Sequence, residues 1–231
     1  MNSQPFRKRR IFVVDDHPVV RDGFRSIINQ EPDLVVCGEA GDSSTALENV
    51  VSSAPDLILV DLSLGELSGL ELLKDLAIQH PSIPVFVVSM HDEAIYADRV
   101  LRAGARGYLM KGESAERLLD AIRRVLAGNV FVSEKVMTAI ASRLGPRKND
   151  LEPIDLLSDR ELQVFEMMAS GLSISRIAQL MNLSIKTVQA YVARSKEKFG
   201  VPTMNELLRE AIRWRESNKR KSSRRGQCEP G

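Results

Sequence analysis

The first 127 residues alternate short apolar runs with helical patterns five times, and this alternation constrains the fold more than any other feature. The apolar runs predict strands at residues 11–14, 34–37, 57–60, 84–88 and 106–110. The helical patterns that follow them lie at residues 18–28, 42–51, 69–78, 92–101 and 114–126. Strands and helices that alternate through short loops form a parallel sheet covered by helices on both faces. We therefore predict an α/β domain built on a five-stranded parallel sheet.

The third apolar run, Leu57 to Val60, ends on the carboxylate Asp61. A run this short and this apolar is typical of a central strand that is buried on both faces. In open α/β sheets, ligands bind outside the carboxyl ends of the strands. Asp61 is therefore a candidate site residue, although a turn-capping role would explain it equally well if it stood alone.

Polar residues also follow the first, fourth and fifth apolar runs, where Asp15, Asp16, Ser89 and Lys111 stand. Right-handed crossovers place the carboxyl ends of all five strands at one edge of the sheet. A strand-end cap or a solvated lysine would explain each residue singly. Their joint arrival at one edge with Asp61 favours a functional site.

Three carboxylates at one edge repel one another and raise one another's pKa unless a cation neutralises them. Oxygen ligands without cysteine or histidine indicate Mg²⁺, and the spacing of His17, His80 and His91 does not match a zinc site. An amine and a hydroxyl beside the carboxylates suit phosphoryl transfer to Asp61. In that reaction Lys111 would neutralise phosphoryl oxygens and Ser89 would donate a hydrogen bond.

These motifs together resemble the receiver domain of bacterial two-component response regulators over residues 11–127. The resemblance implies a flavodoxin-like fold and phosphorylation of Asp61 by a sensor histidine kinase. It implies a switch made of Ser89 and Tyr108. It also implies that Mg²⁺ is held by Asp15, Asp16, Asp61 and Ser63.

One loop departs from that family. The sequence after the acceptor is Leu64-Gly65-Glu66, where the family usually has Met-Pro-Gly. Without the proline this loop has more conformers in the unfolded chain, so we expect it to be less rigid.

The charge of the chain divides near its middle. Residues 1–145 carry 16 basic and 20 acidic side chains, whereas residues 146–231 carry 16 and 11. A basic second half suits a polyanionic partner. A helix is predicted at residues 134–144, and the breaker pair Gly145-Pro146 opens a predicted linker at residues 145–150.

The second half contains four short helical patterns, three of them preceded by serine caps. Ser158 and Glu161 have the spacing of a capping box, while Ser173 and Ser184 begin the next two helices. The fourth pattern covers residues 205–214. Short helices joined by tight turns are typical of a helix-turn-helix domain, although a small helical interaction domain has the same pattern.

Five short motifs favour the first of these interpretations by their resemblance to the LuxR-type DNA-binding domain: residues 157–161, 169–171, 177–178, 183–184 and 186–188. Joined to a receiver, the whole chain resembles a NarL/FixJ-type response regulator. The resemblance implies DNA contacts by Lys186, Thr187, Gln189, Ala190, Ala193 and Arg194. Two departures lie nearby: Gln189-Ala190-Tyr191 replaces the usual Lys-x-His, and Ser195 occupies a position that is usually apolar.

We therefore expect a transcription factor whose binding to promoter DNA is controlled by phosphorylation, acting as a homodimer. The receiver would take part only in its own phosphoryl transfer, so the chain would not be an enzyme. One alternative is an interaction or phosphate-sink protein whose DNA-binding domain has drifted. A Mg²⁺-dependent hydrolase is a third possibility, but a dedicated base beside Asp61 is missing from the sequence pattern.

The predicted domains are the receiver at residues 9–128, a linker with a helix at 129–153, the helix-turn-helix domain at 154–216, and a basic tail at 217–231. The tail is rich in Arg, Lys and Ser, so we expect it to be disordered. Cys37 and Cys228 do not indicate a disulfide framework, and no apolar run is long enough to span a membrane. A cytoplasmic location is therefore expected.

Overall fold

The computed structural model describes residues 7–64, 67–143 and 152–225. Contacts divide the chain into two compact units, residues 1–145 and 146–231. The predicted linker at 145–150 lies outside the described residues, and so do Gly65 and Glu66 of the loop that departs from the receiver pattern.

The first unit is the predicted five-stranded parallel sheet with helices on both faces. Its strands are β1 (Arg9–Val14), β2 (Leu34–Ala40), β3 (Leu57–Val60), β4 (Ser63–Leu64), β5 (Leu67–Ser68), β6 (Val85–Ser89) and β7 (Gly107–Met110). Its helices are α1 (Pro18–Asn29), α2 (Ser43–Ser53), α3 (Gly69–Gln79), α4 (Glu93–Arg102), α5 (Ala115–Leu126) and α6 (Glu134–Arg143). The main sheet has the order β2-β1-β3-β6-β7, and all of its pairs are parallel. The flavodoxin-like prediction is confirmed.

Strands β4 and β5 form a small antiparallel hairpin that the sequence did not predict. Two-residue strands are too short to show the alternation by which strands are recognised. The hairpin lies directly after Asp61, so it forms part of the rim of the candidate site.

Burial of β3 agrees with its predicted central position, because all four of its side chains are buried. Ile11 and Val13 of β1 lie in one core cluster with Leu57 and Leu59 of β3. Each such side chain contributes about 1.5–3 kcal/mol when it is fully removed from water. This buried sheet holds the carboxyl ends of its strands, and thus the site, in fixed positions.

Helix α1 begins at Pro18 as predicted, but its inward face differs from the predicted one. Val19 was expected to face the core and is instead 82% exposed. Val20 is half-buried, as are Phe24 and Ile27. The reason is geometric: residues four and seven apart lie on one helical face, and Val19 is rotated about 100° from the face that starts at Val20.

The chain that follows α5 is part of the first unit. Phe131 N donates to Arg106 O at 3.0 Å, and Tyr108 N donates to Phe131 O at 2.8 Å. The Phe131 ring meets Phe86 edge-on, with their centroids 6.0 Å apart. The packed receiver therefore extends beyond the predicted boundary at residue 128.

The second unit contains a 3₁₀ turn (Pro153–Leu156) and four helices: α7 (Asp159–Ala169), α8 (Ile174–Leu180), α9 (Ile185–Phe199) and α10 (Met204–Arg225). The predicted capping box is present, with Ser158 and Glu161 bonding in both directions. Phe165 is the centre of the core, stacked on Phe199 at 4.8 Å and edge-on to Trp214 at 5.7 Å. The predicted all-α arrangement is confirmed.

Helix α10 is longer than predicted. It was expected to end near Trp214, with a disordered tail from residue 217, yet it continues to Arg225. Arg, Lys and Glu have good helix propensity, and the next glycine is Gly226. Arg215 donates to Ala169 O at 2.9 Å and so holds α10 against the end of α7.

Among the described residues, no helix has both the length and the apolar character that a bilayer crossing requires.

Candidate functional site

Asp61 lies immediately after β3 and is 3% exposed. Its backbone N–H donates to Val14 O at 2.9 Å, which continues the pairing of β3 with β1 past the strand end. Gly69 packs on the opposite side, where an added Cβ would lie 2.5 Å from Asp61 O. The Asp61 backbone is therefore held between β1 and the start of α3.

Lys111, after β7, joins two of the carboxylates. Its Nζ lies 2.6 Å from Asp61 Oδ2 and 2.6 Å from Asp15 Oδ2. Burial lowers the pKa of Lys111, but its hydrogen bonds to Asp15 and Asp61 outweigh burial, so that the pKa is raised overall. The amine is a fixed positive charge beside the acceptor carboxylate, as the sequence predicted.

The other oxygen of Asp61 is left for a ligand. Asp61 Oδ1 is buried and has no hydrogen-bond partner among the described residues. Such an orphan acceptor is costly, so it calls for a specific explanation. A bond from Asp61 Oδ1 to phosphorus or to a cation would satisfy this acceptor.

The acidic residues converge as predicted, and one further residue joins them. Ligand atoms of Asp15, Asp16, His17 and Asp61 all lie within 4.8 Å of one another. Asp15 is fully buried, whereas Asp16 is partly open to solvent. Carboxylate oxygens around a partly open position form a donor set that fits a divalent cation. The sequence interpretation missed His17, because it sought histidines at zinc-ligand spacing instead of beside the strand ends.

Ser89 and Tyr108 lie together behind the acceptor. Ser89 is fully buried at the end of β6, and its Oγ accepts a hydrogen bond from His91 N at 3.5 Å. Tyr108 is 1% exposed, and its hydroxyl donates to His91 O at 2.6 Å. Burial raises the pKa of the Tyr108 phenol, so it remains a donor. The predicted switch aromatic thus has its ring turned inward.

Ser63 and His91 face each other across the mouth of this site. Ser63 Oγ lies 3.3 Å from His91 Nε2, and the imidazole packs on Tyr96 with ring centroids 4.6 Å apart. This contact places an imidazole beside Ser63, two residues beyond the acceptor.

Helix α9 in the second unit carries the predicted DNA contacts on one exposed face. Lys186, Gln189, Ala190, Ala193 and Arg194 are all exposed. Thr187 is half-buried, and its Oγ1 lies 2.8 Å from the Oγ of the helix cap Ser184. Arg194 extends over the Tyr191 ring, with Cζ 5.2 Å from its centroid. Ser195 is 1% exposed, which confirms that a polar residue occupies a core position.

A partly buried ion pair joins α9 to the start of α7. Glu161 of the capping box is 1% exposed, and its Oε2 lies 2.6 Å from Lys198 Nζ. Burial raises the pKa of Glu161, but hydrogen bonds from Lys198 and Ser158 outweigh it and leave the pKa below its usual value. One carboxylate thus caps α7 and holds the end of α9.

Comparison with known proteins matches both units to families. Residues 11–123 match the response regulator receiver domain, and residues 155–211 match the luxR family of bacterial regulatory proteins. The oxygen regulatory protein NreC of Staphylococcus aureus is 35% identical over 211 residues, which cover 88% of this chain and 97% of that protein. The chain is a response regulator of the NarL/FixJ type.

Solved structures of this family give the same fold. The RcsB response regulator of Salmonella typhimurium is 25% identical, covers 89% of this chain and 98% of its own, and gives a TM-score of 0.68. A second RcsB structure, bound to the promoter rprA in the presence of a phosphomimetic, is 25% identical, covers 87% and 97%, and gives a TM-score of 0.64. The response regulator therefore has relatives that have been observed on promoter DNA.

Proposed function

We propose that this response regulator is phosphorylated on Asp61 by a sensor histidine kinase and that this controls its binding to promoter DNA through α9. The observation that carries the proposal is the environment of the two carboxylate oxygens of Asp61. Its Oδ2 is paired with Lys111, while its buried Oδ1 has no hydrogen-bond partner among the described residues and lies beside an acidic cluster that fits a cation.

The chemistry follows from these contacts. An Asp61 oxygen forms a bond to phosphorus as the phosphorus–nitrogen bond of the kinase phosphohistidine breaks, which gives an acyl phosphate on the chain. In this proposal Lys111, which is paired with Asp61, and the buried Ser89 hydroxyl stabilise phosphoryl oxygens. Hydrolysis by water returns the carboxylate, so the chain modifies itself alone and is not an enzyme toward other molecules.

Mg²⁺ is the cation that we propose for this step. Asp15, Asp16 and Asp61 supply carboxylate oxygens, and Ser63 lies two residues beyond the acceptor on the rim. When bound, Mg²⁺ neutralises phosphoryl oxygens that would otherwise meet the negative carboxylates.

DNA recognition is proposed for the exposed face of α9. Gln189 can pair with adenine and Arg194 with guanine in the major groove, whereas Lys186 suits phosphate. Structures of RcsB include dimers on DNA, and we propose that this chain likewise acts as a homodimer, in the cytoplasm where promoters are reached. The phosphate-sink alternative is not favoured, because the predicted contact residues are exposed on one helical face.

The test compares DNA binding with and without phosphorylation. The full chain is treated with acetyl phosphate and Mg²⁺, the bound phosphate is measured by intact mass, and binding is measured across promoter fragments. The wild type should gain one phosphate and bind more tightly.

Asp61→Asn should gain no phosphate, whereas the matched control Asp75→Asn, an exposed aspartate on α3, should behave as the wild type. A stable phosphate on Asp61→Asn would overturn the acceptor assignment. Phosphorylation of the wild type without any change in DNA binding would overturn the regulatory proposal.

A further inference from the structure

His17 occupies a helix cap but does not cap the helix. It is the N-cap residue of α1, with extended backbone angles, yet its side chain makes no hydrogen bond to the first turn. N-cap side chains usually accept from the backbone N–H two or three residues on. The His17 imidazole turns toward the strand ends instead, and Nδ1 lies 2.6 Å from Asp16 Oδ1 and 3.5 Å from Asp15 Oδ1.

His17 Nδ1 and Asp16 Oδ1 form a close pair, and this oxygen of Asp16 is buried. The backbone N–H of His17 donates to Asp15 Oδ1 at 2.9 Å, which fixes the chain at this point. His17 Nδ1 and carboxylate oxygens of Asp15 and Asp16 therefore converge at the strand ends.

A cation at that position accounts for the convergence. Ligand atoms of His17, Asp15, Asp16 and Asp61 lie within 4.8 Å of one another. Neighbouring ligands of one octahedral ion, each about 2.0–2.1 Å from it, are about 3 Å apart. The unpartnered and buried Asp61 Oδ1 is a second, independent sign that a ligand belongs there.

We propose that His17 Nδ1 is a further ligand of the cation bound by Asp15, Asp16 and Asp61, and that it raises the affinity of the site for Mn²⁺ and Co²⁺ relative to Mg²⁺. This rests on the proposed metal-assisted phosphorylation of Asp61. Imidazole nitrogen suits first-row transition ions, whereas Mg²⁺ prefers oxygen ligands. A site with three carboxylates and one imidazole therefore gains affinity for Mn²⁺ and Co²⁺ beyond what the carboxylates supply.

A competing role for His17 has the opposite consequence. If the imidazole were a counter-ion that a metal displaces, its removal would strengthen binding of every divalent cation to the same degree. If it is a ligand, its removal weakens Mn²⁺ and Co²⁺ binding much more than Mg²⁺ binding. The sign of the change therefore separates the two roles.

The direct test is pulsed electron paramagnetic resonance of the full chain with one equivalent of Mn²⁺. The wild type should show coupling of the Mn²⁺ spin to the ¹⁴N of an imidazole. His17→Asn, which places a good helix-capping residue at this position, should lose that coupling. His80→Asn, which changes a histidine at the end of α3 far along the chain from the cluster, should retain it. Bound Mn²⁺ without nitrogen coupling in the wild type would overturn the proposal.

Calorimetric titrations with Mg²⁺, Mn²⁺ and Co²⁺ complete the test. The preference of the wild type for Mn²⁺ over Mg²⁺ should fall at least about tenfold in His17→Asn, the lower end of what loss of a supporting group costs a metal site. Equal affinity changes for all three ions would overturn the ligand role while the phosphorylation of Asp61 still stood. Absence of metal binding in the wild type, by contrast, would overturn the metal-dependent step of the proposed function.

Discussion

Ser133 Oγ donates a hydrogen bond to Glu93 Oε1 at 2.9 Å and thereby ties the start of α6 to the first turn of α4. The same hydroxyl accepts from Val136 N at 3.2 Å, so it also caps α6. A single side chain thus joins the helix that leaves the receiver to the helix that follows the switch strand β6.

We predict that Ser133→Ala loosens α6 and leaves the sheet intact. Loss of a serine cap costs about 1 kcal/mol. Backbone amides of α6 should therefore exchange with solvent faster in hydrogen–deuterium exchange, while those of β1 and β3 keep their rates. Thr138→Ala is the control, since that hydroxyl bonds only to Glu134 O within α6 among the described contacts. Unchanged exchange in α6 of Ser133→Ala would contradict the prediction.

The second prediction concerns acid sensitivity of the DNA-binding unit. The pKa of Glu161 is held below its ordinary value of 4.5 by Lys198 and Ser158, which outweigh burial. As the pH falls, the Glu161 carboxylate is therefore protonated in the unfolded chain before it is protonated in the folded chain. The contribution of ionised Glu161 to the free energy of unfolding is complete above a pH of about 4.5 and is lost progressively below it.

The measurement is denaturant unfolding followed by Trp214 fluorescence, which reports on the second unit because the chain has one tryptophan. The midpoint of the wild type should fall with pH below about 4.5, and that of Glu161→Gln should fall less. At neutral pH the variant should be less stable, by less than the 3–5 kcal/mol typical of a fully buried pair, because the Lys198 side chain is 32% exposed. Glu197→Gln, on the exposed side of α9, should match the wild type at every pH.

The third prediction contrasts two serines of α9. Ser184 caps the helix by accepting from Thr187 N at 3.1 Å, so Ser184→Ala should cost about 1 kcal/mol. Ser195 Oγ donates to Tyr191 O at 2.9 Å, a carbonyl four residues earlier in the same helix. Because this bond competes with the helix and alanine has the higher helix propensity, Ser195→Ala should be neutral or stabilising. Trp214 fluorescence in urea measures both, and a loss for Ser195→Ala as large as that for Ser184→Ala would refute the distinction.

The fourth prediction concerns the basic end of α10. A chain that stops after Ser217 keeps the contact of Arg215 with Ala169 O but loses Lys219, Arg220, Lys221, Arg224 and Arg225. Each phosphate neutralised contributes about 0.9 to the slope of log affinity against log salt, so about three or four engaged cations give a slope smaller by about 3. Sequence preference should barely change, because phosphate contacts position the protein and base contacts specify. A salt titration of both chains checks this, and equal slopes would show that these cations do not reach DNA.

The fifth prediction is that His91 sets the lifetime of the phosphoryl group. His91 Nε2 lies 3.3 Å from Ser63 Oγ at the mouth of the site, where it can orient an incoming water. His91→Ala should gain phosphate from acetyl phosphate at the same rate as the wild type and lose it more slowly. His80→Ala is the control, and an unchanged rate of loss in His91→Ala would make the imidazole a bystander.

Local chemical signals account for what the sequence predicted well. The caps Ser158, Ser173 and Ser184 were recognised because a helix start depends on a few adjacent residues, and all three accept the expected backbone hydrogen bonds. Asp61, Ser89 and Lys111 were placed together because the handedness of crossovers brings all strand ends to one edge. Their convergence needed no knowledge of side-chain packing.

Features that depend on orientation were missed. Val19 and Val20 are adjacent in sequence, and only the register of α1 against the sheet decides which of them is buried. The role of His17 depends on where its imidazole turns, which spacing between histidines does not reveal. The contact of Arg215 with Ala169 O joins α10 to another helix, a tertiary effect that local composition does not show.

The bridge between Gly107 and Phe131 also covers part of the edge of the sheet. Strand β7 is at the edge of the sheet, and an uncovered edge offers unpaired N–H and C=O groups on which another strand can form. The backbone of Phe131 pairs with part of this edge. The two backbones are close together, because a Cβ at Gly107 would lie 2.4 Å from Phe131 O. A receiver cut at residue 128 would expose this edge, so a fragment for solution work should retain the chain through α6 to avoid aggregation.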